Sequence, residues 1–411
     1  MENKKEMETY IKVKSKLKNF PDLIQPICIE DFEANYWEKQ FIHIQRDNPN
    51  FFSSLFSIED LDSLLEYNRP RGSSLRVVKS QQPMNPTIYE NKDGSLNLNQ
   101  LYAAYADGHT IVINEIQRFW DPIKMLVENI RNYTSHNAVA NLYLTPENEK
   151  ALSPHYDAHD VFALQISGEK HWILYDDTHF KTPLLHSFQP IFQREHLTGA
   201  KEITMKAGDI LYMPRGVPHE AYTTDKSSMH ITIGVHSTQW IDLITKSLLN
   251  LSQKHIELRR ALPIGFLNSE NDNLLSTDAE LDFINILKQV FQKDNIAGSL
   301  NILGEEFRTK EQPKPDGHFS SLDKMNHVHL DSQLSKREGL TSKVTNSVSG
   351  ARISFQGNII KGPSQIVGTL VFISQQEGSF SVKDIPFLND DNKLKLAKRL
   401  VRGGLLKVIS Q

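Results

Sequence analysis

The spacing of apolar residues changes twice along this chain. Between about residues 138 and 236 they fall in short runs punctuated by glycine and proline: 138–144, 161–166, 171–175, 210–213 and 229–236. Runs of this kind, bounded by Ser167-Gly168, Ala207-Gly208-Asp209 and Pro214-Arg215-Gly216-Val217-Pro218, predict strands. Ser167-Gly168 is expected to turn one strand back on the next. Many short strands with such punctuation predict a double-stranded jelly-roll barrel. Upstream, residues 21–137 mix patterns. Ser57 is placed to cap a helix over 57–65, with Asp60 at the capping-box position. Residues 31–41 read as a helix with an aromatic face, and 74–78 and 110–113 as short strands. From about 238 the period becomes helical. Trp240, Ile241, Leu243, Ile244, Leu248 and Leu251 define one helix, and Leu281, Ile284, Leu287 and Val290 a second over 277–291. Residues 311–317, rich in proline and lysine, read as a linker. Strand-like segments follow, then a helix over about 389–402 stopped by Gly403-Gly404. Residues 1–20 read as a frayed, polar lead-in. The fold class is therefore α+β, in three parts: 1–237, 238–312 and 313–411.

Charge narrows the range of partners. Against 46 basic residues stand 50 acidic ones, a net charge of −4, which argues against a generic nucleic-acid binder. One local exception is the basic face formed by Lys393, Lys395, Lys398, Arg399 and Arg402 on the last helix, with Lys407 beyond it. A solvated face is the plain reading, and contact with RNA or an acidic partner the other. The single cysteine, Cys28, excludes an internal disulfide framework and a thiolate zinc cluster. Among Pro26, Ile27 and Ile29 it reads as a small core residue. No apolar run approaches the ~20 residues of a membrane span. The N-terminus lacks the apolar stretch of a secretory signal, so a cytoplasmic location is expected.

The chemistry concentrates in three residues. His155 and Asp157 are two apart, so in an extended segment they point the same way. His219 follows the rigid Pro214–Pro218 turn. Two imidazoles and a carboxylate on strand-like segments suggest a facial triad that holds a metal and leaves positions open. Pairing His155 with His159 as on a zinc-protease helix fails, because Tyr156 stands where the glutamate base belongs and Pro154 opposes a helix. His327-Val328-His329 reads as a surface strand. Lys170 is expected on the strand passing the metal, where a buried ammonium is costly unless it meets an anion. Gln165 and Trp172 read as structural.

The segments Asn141-Leu142-Tyr143-Leu144-Thr145-Pro146, Pro154-His155-Tyr156-Asp157 through Gly168-Glu169-Lys170-His171-Trp172, and Gly208-Asp209-Ile210 through Val217-Pro218-His219 together resemble the JmjC ribosomal oxygenase family. The resemblance is close over about 138–236 and looser over the whole chain. It implies a JmjC (cupin) barrel, a helical dimerisation domain over 238–312 and a winged-helix domain over 313–411, hence a homodimer. It implies Fe(II) as the metal, with 2-oxoglutarate and O2 as cosubstrates. His155, Asp157 and His219 match the iron ligands, and Lys170 matches the partner of the 2-oxoglutarate carboxylate. Asn141 and Thr232 match cosubstrate-pocket positions, and Tyr143 and Gly234 substrate positions. The implied reaction hydroxylates an arginine or histidine of a ribosomal protein. Family members acting on histidine carry a pocket serine where this chain has Gly234, which weakens histidine as the target because one hydrogen-bond partner is lost. Hydroxylation of another protein or peptide (a modified peptide natural product, for example) and N-methyl-lysine demethylation use the same chemistry. A non-enzymatic binding protein on an inert barrel is the reading from another class, opposed by the intact triad and Lys170.

Overall fold

The computed structural model describes residues 19–68, 70–150, 152–176, 182–183, 194–262, 264, 277–310, 316–347 and 350–410. Most of the lead-in (1–18) and of the linker (311–315) lies outside them. The chain divides into two compact units, Met1–Ser237 and Thr238–Gln411.

In the first unit the strands are β1 (Ile42–Ile44), β2 (Leu75–Lys79), β3 (Gln82–Pro83), β4 (Thr110–Ile113), β5 (Asn137–Thr145), β6 (Asp160–Tyr175), β7 (Ala200–Lys206), β8 (Ile210–Met213), β9 (His219–Tyr222) and β10 (Ser228–His236). They run in the order β1-β8-β6-β10-β5-β4-β2-β3, with β7 and β9 also pairing to β6. Every pairing is antiparallel. The jelly roll is closed by β6, whose first half pairs with β8 and β10 and whose second half pairs with β7 and β9.

The expected turn at Ser167-Gly168 does not form. One strand runs through it, with Gly168 at φ +68° as an irregularity that carries β6 from one face of the barrel to the other. A Cβ at Gly168 would lie 1.8 Å from the Ser227 carbonyl oxygen. Only glycine permits both the conformation and the approach.

Alternation along the strands sets two layers. Ala138, Ala140 and Leu142 of β5, Phe162 and Leu164 of β6, and Ile231 and Ile233 of β10 point into the main core, where the helices pack. Val161, Ala163, Trp172, Leu174, Leu211 and Met213 fill the barrel interior. Among the helices, Ile58–Ser63 is capped by Ser57, whose hydroxyl accepts from the Asp60 amide. The aromatic helix is shorter than its pattern, Ile29–Asn35. Cys28 is exposed at its N-cap, not in the core; its partly buried neighbours Ile27 and Ile29 make the contacts instead.

The second unit opens with helices Trp240–Ser252, Thr277–Lys288 and Lys293–Thr309. It continues with two antiparallel three-stranded sheets. One joins β11 (Gln333–Lys336), β15 (Ser379–Ser381) and β16 (Leu406–Ser410), and the other joins β12 (Ser342–Ser347), β13 (Gly350–Phe355) and β14 (Asn358–Gly362). Helices His318–Met325, Val367–Gln375 and Asp390–Arg402 accompany them. Residues 327–329 leave a turn as irregular backbone and not as a surface strand, and Val328 is buried in the core. The last helix buries Leu396, Ala397, Leu400 and Val401.

Candidate metal and cosubstrate site

His155 and Asp157 lie in the loop before β6, and His219 opens β9. An isolated antiparallel bridge joins the two segments: the His155 amide donates to the His219 carbonyl at 3.0 Å, and the His219 amide donates back at 2.7 Å. The Gly216 amide donates to the Asp157 carbonyl at 2.9 Å, tying the proline turn to the same loop. One ligand-type atom from each of His155, Asp157 and His219 lies within 4.8 Å of the others.

Both imidazoles are oriented by their own loops. Nδ1 of His155 is 2.8 Å from the Ser153 carbonyl, and Nδ1 of His219 is 2.9 Å from the Val217 carbonyl. Those carbonyls accept, so each Nδ1 carries the proton and each Nε2 keeps a lone pair. Nε2 of His219 lies 3.7 Å from an Asp157 carboxylate oxygen. Burial, and then the neighbouring His155, push the His219 pKa down to about 4, so the ring is neutral at neutral pH. Two aligned imidazoles and a carboxylate fit a divalent metal of the borderline kind that takes nitrogen and oxygen together.

A buried network holds together the two segments that carry His155, Asp157 and His219. Asp160, fully buried at the start of β6, accepts from the Arg215 guanidinium (3.1 Å), the Arg215 amide (3.3 Å), the Tyr212 hydroxyl (3.2 Å) and the Ser237 hydroxyl (3.0 Å). Arg215 also pairs with Glu38 at 2.5 Å. Next to His219, the fully buried Glu220 accepts from the Tyr175 hydroxyl at 2.6 Å and pairs with Lys150.

The triad opens into a cavity of about 530 Å³. Asn141, Tyr143 and Thr145 of β5 reach it by alternation, as do His230 and Thr232 of β10, which pair with Tyr143 and Asn141. Tyr143 stacks on His230 with ring centroids 4.9 Å apart, and burial raises its phenol pKa to about 12. Asn141 accepts from the Glu115 amide at 3.0 Å.

Lys170 lines the same cavity, 2% exposed, and donates to the Thr145 hydroxyl at 3.0 Å. No described carboxylate pairs with it in an ion bridge. Desolvation lowers its pKa from 10.5 to about 7. A cation kept in such a place without a counter-charge suits an incoming anion.

Of the residues singled out by sequence, the cavity gathers His155, Asp157, His219, Lys170, Asn141, Thr232 and Tyr143. Gly234 is not in its wall; the His159 ring stands over it. Sequence reasoning missed Thr145, His230 and His159 as wall residues. It assigned Trp172 to structure, whereas Trp172 lines the cavity with its indole N–H buried and lacking a described partner. Gln165 is structural, donating to the Ser167 carbonyl and the Ser228 hydroxyl at 2.8 Å. The overlooked signal was period two: 141, 143 and 145 share one face of a strand, as do 230 and 232.

Residues 113–243 match the model of the JmjC domain. The chain is 31% identical over 299 residues to ribosomal oxygenase 2 of Mus musculus, covering 64% of this chain and 63% of that protein. It is 29% identical over 308 residues to the bifunctional lysine-specific demethylase and histidyl-hydroxylase NO66 of Aedes aegypti, covering 72% of this chain and 48% of that protein. The chain thus spans between about half and two thirds of these relatives. A solved structure of YcfD, a ribosomal oxygenase from Escherichia coli in complex with cobalt and 2-oxoglutarate, shares the fold. Its TM-score is 0.52 at 16% identity, over 94% of this chain and 99% of that one.

Proposed function

Since the chain carries a JmjC domain and is related in sequence to the ribosomal oxygenases, we propose that it is an Fe(II)- and 2-oxoglutarate-dependent oxygenase that hydroxylates a protein side chain. The observation that carries this is the pairing, in one cavity, of three residues that could hold a metal with a buried lysine that has no carboxylate partner among the described residues. The names of the relatives point to a ribosomal protein as substrate.

His155, Asp157 and His219 would hold iron on one side and leave the other open to the cavity. Bound there, iron supplies the activation of O2 coupled to oxidative decarboxylation of 2-oxoglutarate. The chain's own groups bind and orient. Lys170, with Thr145 beside it, takes the far carboxylate of the keto acid. Asn141, Thr232 and Tyr143 line its approach. The Tyr143 phenol, kept neutral by burial, is a hydrogen-bond donor and not a base. Trp172, Met213 and Val161 form apolar wall that excludes water.

The test compares ribosomal and other abundant proteins from cells with and without this protein by mass spectrometry, with His155→Ala as control. The expected result is a gain of one oxygen on one residue, absent in both the deletion and the variant. Iron-dependent turnover of 2-oxoglutarate without any shift on ribosomal proteins would keep the chemistry and reject that substrate. Absence of both would favour a non-enzymatic barrel. The demethylase name carried by one relative supports a second reading on the same site. Release of formaldehyde from a methyl-lysine peptide would identify it.

In this reading residues 1–237 are catalytic, 238–312 mediate homodimerisation and 313–411 form a winged helix. The dimer is supported by apolar side chains left exposed in the second unit: Trp240 at 79%, Ile241, Leu249 and Leu287 on helices, and Phe291 in the turn between two of them. Nucleic-acid contact through the last helix has little support. Lys393 and Lys398 donate to backbone carbonyls, and Lys395 pairs with Asp391 four residues earlier. No described helix is long and apolar enough to cross a membrane.

A further inference from the structure

Lys170 is a nucleophile as well as a charge. Among the described lysines it is the only buried one. Trp172 follows it by two residues on β6, so both side chains leave the strand on the cavity side. The indole N–H of Trp172 is buried and has no partner among the described residues. His230 approaches from β10, its ring centroid 5.6 Å from that of Trp172. Its Nδ1 is also buried and without a described partner. Burial, and then the Lys170 charge, hold the His230 pKa well below 6.5, so this ring is neutral. Buried polar atoms without partners cost roughly 1–3 kcal/mol each, and native proteins keep few of them. A small polar group carried on the Lys170 nitrogen would meet the Trp172 N–H on one side and the Thr145 hydroxyl, 3.0 Å from that nitrogen, on the other.

Only a neutral amine has the lone pair that attacks carbon. Exposed lysines are almost wholly protonated at neutral pH. Desolvation brings Lys170 down to about 7, so about half of it is free amine there. An electrophile that enters a desolvated site without penalty is small and uncharged. Carbon dioxide meets both conditions, and in the oxygenase reading it is released in this same cavity.

We propose that Lys170 is a carbamylation site: its amine adds carbon dioxide reversibly, and the carbamate competes with 2-oxoglutarate for the cavity. The nitrogen lone pair forms the new N–C bond, one C=O pair moves onto oxygen, and one proton leaves the nitrogen for solvent. Nothing is oxidised or reduced. The product puts an anion where the ammonium stood, with the Thr145 hydroxyl and the Trp172 N–H donating to it. That anion repels the far carboxylate which the ammonium would hold. The modification stands on the surroundings of Lys170 alone. Its effect on the cosubstrate rests on the oxygenase reading, under which the reaction is restrained by its own carbon dioxide.

The test equilibrates the full chain with isotopically labelled bicarbonate, fixes carbamates with triethyloxonium ion, and locates the label by peptide mass spectrometry. Wild type should carry it on Lys170 in preference to every exposed lysine. Lys170→Met should lose it. Trp172→Phe should need at least tenfold more bicarbonate for equal labelling, the worth of one hydrogen bond to a charged group. Both variants should keep a cooperative thermal melt, which shows that they fold. Cobalt(II) with 2-oxoglutarate should block labelling of wild type. No label on Lys170 in a wild type that binds 2-oxoglutarate, or label spread evenly over exposed lysines, overturns the proposal and leaves the oxygenase reading standing. Labelling of Lys170 that 2-oxoglutarate does not prevent upholds the modification and overturns the competition.

Discussion

Lys170 shows how one side chain can be unfavourable for the fold and yet suited to the ligand proposed for the site. Its ammonium is almost fully buried beside a hydroxyl, and desolvation brings its pKa down to about 7. Between about pH 7 and 10.5 the unfolded chain holds a proton that the folded chain has released. The ligand-free fold therefore gains stability as pH rises through this window, and carries the whole penalty below pH 7. Lys170→Met should raise the melting temperature of the ligand-free protein at pH 7, read by calorimetry. The same change should weaken 2-oxoglutarate binding about 10–100-fold, the worth of a charge-assisted hydrogen bond. In wild type the affinity for 2-oxoglutarate should fall as pH rises above about 7, because the dicarboxylate is held by the protonated lysine. A titration series by calorimetry at pH 6, 7, 8 and 9 checks this; a flat profile would mean that Lys170 does not hold the cosubstrate.

At the scale of elements, the ligand geometry depends on ties between segments. Asp160 leads into β6 from the His155–Asp157 loop, and Arg215 sits in the turn before His219, so their bridge fixes one loop against the other. Asp160→Asn removes one of the two carboxylates that hold Arg215 and leaves Glu38 as the other, at a cost of about 1.5–3 kcal/mol for the weakened charge-assisted bond. Metal affinity should fall by about 10–100-fold, the usual effect of losing a supporting hydrogen bond. Metal titration followed by fluorescence reads that loss, and urea melts read the stability. Gly168→Ala should destabilise by more than the about 1–2 kcal/mol of left-handed backbone, because its Cβ also meets the Ser227 carbonyl. Elements also show what a sequence discloses. The strands were legible from short apolar runs bounded by glycine and proline, and the meeting of His155, Asp157 and His219 from a two-residue spacing followed by a proline turn. The continuity of β6 was not, because glycine at positive φ looks the same whether it closes a hairpin or bends a strand. Helix Lys293–Thr309 escaped notice because Gly298, Gly304 and two asparagines lower its helix propensity. Packing explains it: Asn295 is buried and bonds Asn250 and the Ser247 carbonyl, and Gly298 lies where a Cβ would meet Asn250. His159 over Gly234 was also out of reach, since it is a contact between a loop and a strand far apart in the chain.

For the whole molecule, the exposed apolar side chains of the second unit set the expectation for assembly. Large apolar surface left open marks an interaction site, and a second copy matches the proposed dimer. Leu287→Asp combined with Leu249→Asp should shift the protein from dimer to monomer in light scattering after gel filtration, while metal binding by the first unit persists. A monomeric wild type would reject the dimer. The backbone bridge between His155 and His219 has a different consequence, in time. It closes a loop of more than sixty residues, a contact that chain entropy makes rare until much of the barrel is built. An ion clasped across that closure strengthens a link formed late. Such a link slows the native state's escape without hastening its formation. Stripping the metal with a chelator should therefore steepen the decay seen in unfolding kinetics and leave the refolding limb where it was.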